Sequence, residues 1–369
     1  MSGIVNVKLS KKPCYDVYIE KGFSRLGKVL ENFELKGKKC CIITDTNVEP
    51  LYSEKVKTTL SSIFSTIEIY SFEAGENSKN IDTVMSIIDF LVDKNFNRQD
   101  VLFALGGGVV GDVTGFAASI YMRGIEYIQL PTTLLSMVDS SVGGKTGVDF
   151  KAYKNIIGAF KMPKLVYIST NSLNTLTARQ YYSGMGEVLK YGLIMDAGFY
   201  SWILENMYGI FDLNSETMEE MIKCCVELKA RIVDQDPYES GLRKILNFGH
   251  TIGHAIEKYK GFTLYHGECV SLGIICASYI SWKKNMLSME EFYEIRDMFV
   301  PFNLPISIDL LDIEEIIRLT KKDKKNNDDK VKFVLLKKVG KSVWDEVVTD
   351  EEMKDALNQI NFSEEDLKE

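Results

Sequence analysis

The three histidines of this 369-residue chain, His250, His254 and His266, fall in one short stretch, in FGHTIGHAIE and YHGE. His250 and His254 are four residues apart, which is one face of a helix. Such a pair can ligate a metal together, or give one ligand and one neighbouring acid–base group. A catalytic zinc site takes about three protein ligands, often two histidines and a carboxylate, and leaves a position open. The carboxylate can come from elsewhere in the chain, and Glu187 in GMGEVLKYG is the candidate. A lone histidine is ordinarily a core or surface residue. The gathering of every histidine in one place favours the metal reading.

A second chemistry is anion binding. The apolar run Val101–Leu105 ends directly in Gly106-Gly107-Gly108, and a helix-like stretch follows. Glycine permits positive φ and close approach of a diphosphate, and the N–H groups of a helix start point at the anion. This is not the G-x-G-x-x-G fingerprint, and alone it is equally a tight turn. Asp45 ends the KCCIIT run, where a carboxylate can accept from a ribose hydroxyl. Thr132 and Thr133 follow the YIQL run at Pro131. Singly these are a turn residue and a helix cap. Together they mark the carboxyl edge of a sheet, where open α/β sheets bind ligands.

A third set is cationic and polar. Lys145 lies between glycines in SSVGGKTGVD, and Lys154-Asn155, Lys190, Lys229, Arg243 and Asn247 lie near the glycines or histidines. Arginine recognises carboxylate bidentately, and lysine offers phosphate a point charge. Each alone is ordinarily a surface cation. A helix running from Arg243 through Asn247 to His250 would put all three on or near one surface.

Residues of this kind need elements to position them. Val5–Leu9 and Tyr15–Ile19 alternate like half-buried strands. Lys39–Thr44, Thr66–Tyr70, Val101–Leu105, Tyr127–Leu130 and Leu165–Ser169 read as further strands, with helical spacing over Leu51–Phe64 and Ile81–Val92. Strands alternating with helices imply a mainly parallel, Rossmann-like sheet covered on both faces. Helical periodicity then dominates, over Glu219–Val233, Thr251–Tyr259, Cys269–Lys283 and Glu290–Met298, and only Val331–Leu336 is a clear strand. The expected organisation is a nucleotide-binding α/β domain over 1–172 and a mostly α-helical metal- and substrate-binding domain over 173–369. The charge run Lys321–Lys330 reads as a solvated loop.

Composition narrows the class. The net charge of −8 argues against an extended nucleic-acid surface. No run reaches the roughly 18 apolar residues of a membrane helix, and the N-terminus lacks the apolar block of a signal peptide. The seven cysteines include no C-x-x-C pair and read as small apolar residues in a reducing compartment. A cytoplasmic protein is expected, with no nucleic-acid or membrane partner.

The strings GGGVVGDVTGFAAS, MRG, LPTTLLSMVDSSVGGKTGVD, KNIIGAF, GEVLKYGLI, LNFGHTIGHAIE and HGE occur in this order, densely over 106–270. In that combination the chain resembles the 3-dehydroquinate synthase family of sugar phosphate cyclases. The resemblance implies conversion of 3-deoxy-D-arabino-heptulosonate 7-phosphate to 3-dehydroquinate and phosphate in the shikimate pathway. It implies NAD and Zn2+ or Co2+ as cofactors, with Glu187, His250 and His266 as metal ligands and His254 as a nearby catalytic group. It implies NAD contacts from Asp45, Glu76, Lys79, Gly107, Gly108, Val109, Gly111, Asp112, Thr132, Thr133, Lys145, Lys154 and Thr175. It implies substrate contacts from Asp139, Lys145, Asn155, Lys190, Lys229, Arg243, Asn247 and, in the Lys321–Lys330 run, Lys324. It also implies a homodimer in which Arg123 reaches the phosphate held by the neighbouring subunit. The chain departs from the family pattern at Tyr153, at Met162 and at Gly186, beside the site and not on these groups. Two other readings compete: a cyclase making a deoxyinosose or a valiolone, and a metal-dependent polyol or alcohol dehydrogenase. A non-catalytic NAD-binding module would leave the histidines and lysines without a purpose.

Overall fold

A computed structural model of the chain describes residues 3–151, 153–323 and 331–362. Contacts along the backbone divide it into two units, one of residues Met1–Leu176 and Tyr208–Tyr238, the other of Thr177–Met207 and Glu239–Glu369.

The first unit is built on strands β1 (Gly3–Leu9), β2 (Lys12–Glu20), β3 (Lys39–Asp45), β4 (Thr66–Phe72), β5 (Val101–Gly106), β6 (Glu126–Pro131) and, after a β7–β8 hairpin, β9 (Val166–Ser169). They form a seven-stranded sheet in the order β1-β2-β9-β6-β5-β3-β4. Every pairing is parallel except β1 with β2. Helices α1 (Leu26–Leu30), α2 (Glu54–Leu60), α3 (Ile81–Asp93) and α4 (Gly108–Ile120) cover it. Alternation within β3 shows how one strand serves two layers. Cys41 and Ile43 pack with Val84, Ile87 and Val113 on one face, and Cys40 and Ile42 pack with Leu26, Leu30 and Val56 on the other. Each such buried aliphatic side chain stabilises the fold by roughly 1.5–3 kcal/mol.

The chain runs from β3 outward to β4 and returns across β3 to β5, so strand order reverses between β3 and β5. Ligands of doubly wound sheets bind outside the carboxyl ends of the strands at such a point. Asp45 ends β3 and Gly106 ends β5, so the two sequence signals flank it.

Two features of this unit differ from the sequence expectation. The hairpin of β7 (Lys145–Phe150) and β8 (Tyr153–Phe160) is antiparallel and pairs Lys145 with Phe160; its glycines and polar residues blur the period-2 pattern. Helix α8 (Ser215–Gln235), reached through α7 (Met207–Phe211), groups with the first unit, packing on β1 and β2. The single boundary at 172/173 puts that helix in the second domain. An amphipathic stripe reports that a face is buried but not against what. Of the cysteines, Cys14 is exposed and Cys224 half-buried, and the other five are buried as expected.

The second unit carries α5 (Ala178–Met195), α6 (Ala197–Glu205), α9 (His250–Tyr259), α10 (His266–Lys283), α11 (Met289–Asp297), α12 (Ile313–Asp323) and α13 (Asp350–Asn358). The two-residue strands β10 (Ile308–Asp309) and β13 (Asn361–Phe362) pair in parallel, and β11 (Val331–Lys338) pairs antiparallel with β12 (Lys341–Val348). Glycines set the separation of three of these helices. A Cβ on Gly267 would lie 1.8 Å from the carbonyl oxygen of Ser183, one on Gly273 1.8 Å from that of Gly249, and one on Gly186 2.9 Å from that of Gly267. Backbones of α5, α9 and α10 therefore meet with no side chain between them. Among the described residues no helix is long and apolar enough to cross a membrane.

Candidate active site

Glu187 sits in the middle of α5, which starts with a capping box of Thr177 and Gln180. His250 is the first residue of α9, set there by Gly249, whose φ of 78° only glycine adopts readily. His266 is the first residue of α10. Each of the three side chains thus stands beside a glycine at a close helix contact. The result is convergence. Nε2 of His250 and Nε2 of His266 each lie 3.5 Å from the same oxygen, Oε1 of Glu187. A tetrahedral cation with bonds of about 2.0–2.2 Å separates its ligands by about 3.3–3.6 Å, so this spacing fits one ion and the donor set suits zinc or cobalt.

His254 stands one turn along α9, its ring centroid 5.1 Å from that of His250 and 5.8 Å from that of His266. Ring nitrogens of the three histidines come within 4.8 Å of one another. Glu187 makes two edges of tetrahedral length and is a fully buried carboxyl group beside both rings, which fits it for the third position better than His254.

The electrostatics separate the two rings. Burial, and then the Lys190 ammonium, push His250 down to about 3, so it is neutral and its Nε2 lone pair is available. Burial also opposes charge on His266, but Glu187 and Glu257 outweigh it and raise that ring to about 9. Lys190 pairs with Glu187 one turn along α5 and donates to the carbonyl of Leu246 at 2.7 Å.

Arg243 and Asn247 lie in a 3-10 turn over Leu242–Asn247, and α9 starts afresh after Gly249. The segment from Arg243 to His250 is therefore not one continuous helix; the left-handed Gly249 breaks it. Arg243 is 2% exposed, and Asn247 donates to Glu239 at 2.8 Å.

In the first unit, α4 begins at Gly108 with Gly107 as its N-cap and no side chain capping its N–H groups. Gly107 has φ −75°, and neither neighbouring glycine has positive φ, so the turn needs its glycines for space and not for a left-handed backbone. A Cβ on Gly107 would come 3.1 Å from Thr133, and one on Gly108 3.2 Å from Ser140. Val109, Gly111 and Asp112 follow on the first turns of α4, and a Cβ on Gly111 would meet Gln129 at 2.9 Å. Thr132 donates its N–H to Gly106 at the sheet edge, and its buried Oγ1 has no hydrogen-bond partner among the described residues. Oδ1 of Asp45 accepts from the N–H groups of Asn47 and Val48, both at 2.9 Å, while burial pushes its carboxyl up. Thr175 Oγ1 lies 2.6 Å from the Tyr52 hydroxyl.

A polar cluster joins many of the remaining candidates. Lys79 pairs with Asp112 at 2.7 Å, Lys154 with Glu76 at 3.3 Å, and Lys229 with Asp139 at 2.8 Å. Burial opposes charge on Lys79, but Asp112 and then Glu76 outweigh it and raise its pKa. Asp149 ties the β7–β8 hairpin in, donating its N–H to the Lys79 carbonyl and accepting from the Asn155 N–H, both at 2.8 Å. Lys145 opens β7 after Gly143 and Gly144, both with positive φ.

Arg123 stands apart. It is exposed at the far end of α4, about 20 Å from the glycine turn at 1.5 Å per helical residue. Lys324 lies outside the described residues. Sequence reasoning did not single out Asp149, Glu239 or Glu257. Glu257 left a faint signal, three residues beyond His254 on the same helical face.

Two family models cover most of the chain: 3-dehydroquinate synthase N-terminal over residues 69–183, and 3-dehydroquinate synthase C-terminal over 184–326. A 3-dehydroquinate synthase of Ruminiclostridium cellulolyticum is 42% identical over 330 residues, 89% of this chain and 92% of that protein. Among solved structures, a 2-deoxy-scyllo-inosose synthase complexed with carbaglucose-6-phosphate, NAD+ and Co2+ superposes with a TM-score of 0.88 at 24% identity, covering 96% of this chain and 99% of its own. The 2-epi-5-epi-valiolone synthase of Streptomyces hygroscopicus subsp. jinggangensis 5008, with NAD+ and Zn2+ bound, reaches 0.86 at 26% identity, covering 95% and 97%. The structural likenesses support the fold, and the sequence matches across both halves decide the lineage: the chain belongs to the 3-dehydroquinate synthase family.

Proposed function

We propose that this chain is a 3-dehydroquinate synthase, a carbon–oxygen lyase that converts 3-deoxy-D-arabino-heptulosonate 7-phosphate to 3-dehydroquinate and phosphate. In this reading the first unit holds NAD and the second holds a divalent cation. The observation that carries it is the meeting of two imidazole nitrogens on one Glu187 oxygen, each at 3.5 Å, in a chain whose 42% identical relative bears that name.

When bound, NAD supplies a reversible hydride acceptor and the cation a Lewis acid that makes a substrate hydroxyl more acidic. The chain's own groups do the rest. The uncapped start of α4, with Gly107, Gly108, Val109 and Gly111, receives the diphosphate. Asp45 accepts from a ribose hydroxyl, and Thr132, Thr133, Thr175, Glu76, Lys79, Asp112 and Lys154 line the nucleotide. Arg243 grips the substrate carboxylate and Asn247 its hydroxyls. Lys145 and His254 offset the charge of the leaving phosphate, joined by Arg123 of a second protomer in a homodimer. Asp139, Asn155, Lys190 and Lys229 orient the remaining oxygens. A cytoplasmic location suits this biosynthetic role.

The test is phosphate release from the heptulosonate phosphate by metal-stripped protein, with and without added NAD and zinc. Release should require both, and nicotinamide absorbance should show no net NADH, which a polyol dehydrogenase would accumulate. Loss of the cation's contribution, several kcal/mol, should lower turnover of His250→Ala at least about a hundredfold. Faster turnover of glucose 6-phosphate or sedoheptulose 7-phosphate would move the chain to another branch of the cyclases.

A further inference from the structure

A histidine that binds a metal through one ring nitrogen is held by what its other nitrogen meets. The two rings facing Glu187 are held differently. Nδ1 of His250 lies 3.0 Å from the carbonyl oxygen of Phe248, a main-chain partner two residues away. Nδ1 of His266 instead faces a carboxylate, 3.8 Å from Oε2 of Glu257. Glu257 is 3% exposed, so its burial as a charge is costly unless it serves a partner. It comes from α9, the helix that also carries His250 and His254, whereas His266 begins α10. The contact therefore ties the ring of one helix to the frame of the other.

We propose that Glu257 is a positioning residue of the metal centre, holding the His266 ring so that its Nε2 stays turned toward Glu187 and His250. The proposal rests on the metal-centre reading above. With the cation bound the ring is neutral, and closing the 3.8 Å ion-pair gap to hydrogen-bond distance lets Nδ1 donate its proton to the carboxylate. This fixes the tautomer, aims the opposite lone pair and makes the ring a stronger donor. Carboxylate partners of metal-bound histidines typically contribute about tenfold to a hundredfold in affinity.

The experiment compares Glu257→Gln and Glu257→Leu with the unaltered full-length protein after metal stripping. Cobalt uptake is followed by visible absorption, and zinc affinity by competition with a chromophoric chelator. Zinc affinity should fall about tenfold to a hundredfold in Glu257→Leu, and less in Glu257→Gln, which keeps an acceptor in place without the charge. The cobalt spectrum of the saturated Glu257→Leu protein should change, because the ring turns, and excess metal should recover much of the lost activity. A carboxylate that merely packs two helices would lower the melting temperature and leave affinity and spectrum as they were. That result overturns the proposal, whichever of the two variants yields folded protein. If the unaltered protein takes up no cobalt, the metal centre itself is overturned, which is a separate failure.

Discussion

Asp45 shows what a half-buried carboxyl group costs a fold. Burial raises its carboxyl above the ordinary 3.8, against the opposing effect of two backbone N–H groups. A folded-state pKa above the unfolded value means that the ionised form is disfavoured by folding. The penalty is absent below about pH 3.8, grows between that value and the raised folded one, and is fully present and constant above it, at neutrality included. Asp45→Asn keeps the Oδ1 acceptor and removes the charge. The cofactor-free variant should therefore melt at or above the wild-type temperature at pH 7, with the difference closing at acid pH. Its NAD dissociation constant should rise about tenfold to a hundredfold, the worth of a hydrogen bond to a charged group. Calorimetry across pH and a nucleotide titration check the two halves separately. Asp45 was legible because it ends a buried strand of plain composition. Glu257 was not, because nothing in HTIGHAIE says whether the glutamate faces water or the first residue of the next helix.

At the level of elements, the sequence carried its clearest signals where period and burial agree. Each strand of the large sheet was visible, since KCCIIT or VLFAL leaves little choice. The β7–β8 hairpin was not, although it carries Lys145, Lys154 and Asn155. Each strand carries a glycine among polar residues and β8 is largely exposed, so side-chain alternation is weak and the pairing is set by tertiary contact. The glycines beside Glu187, His250 and His266 were quoted in the motifs, but their purpose needs three-dimensional neighbours. Gly267→Ala puts a methyl group 1.8 Å from the Ser183 carbonyl. The helices must part, at roughly 1–3 kcal/mol or more. Metal affinity and melting temperature should fall together, the latter by several degrees. A variant that binds zinc as wild type does would show that α5 and α10 have slack.

For the whole molecule, the two units follow the path of the chain only loosely. Helix α8 leaves the helical half to pack on β1 and β2, and it takes Lys229 with it to Asp139. Composition could not reveal this, since the helix is amphipathic wherever it docks. Arg123 raises a question of the same scale, being exposed and distant along α4 from the glycine turn. If it serves a neighbouring protomer, Arg123→Ala and His250→Ala proteins, each inactive alone, should regain activity when unfolded and refolded together. The hybrid contains one site with both groups intact. Random pairing makes half of the dimers hybrid, each with one of two sites whole, so about a quarter of wild-type activity is expected. No recovery would place Arg123 in the site of its own chain or outside any site.

The main-chain contact of α5, α9 and α10 has one more consequence. Because carbonyl oxygens and α-carbons abut there, parting the helices to suit a wider guest gives up close packing, and the 3.5 Å spacing would act as a ruler for the radius of a bound ion. Calcium, which prefers bonds of about 2.3–2.6 Å and six or more oxygens, is too large for it and finds the wrong donors. Selection against that abundant ion is then written in residues that have no side chain at all.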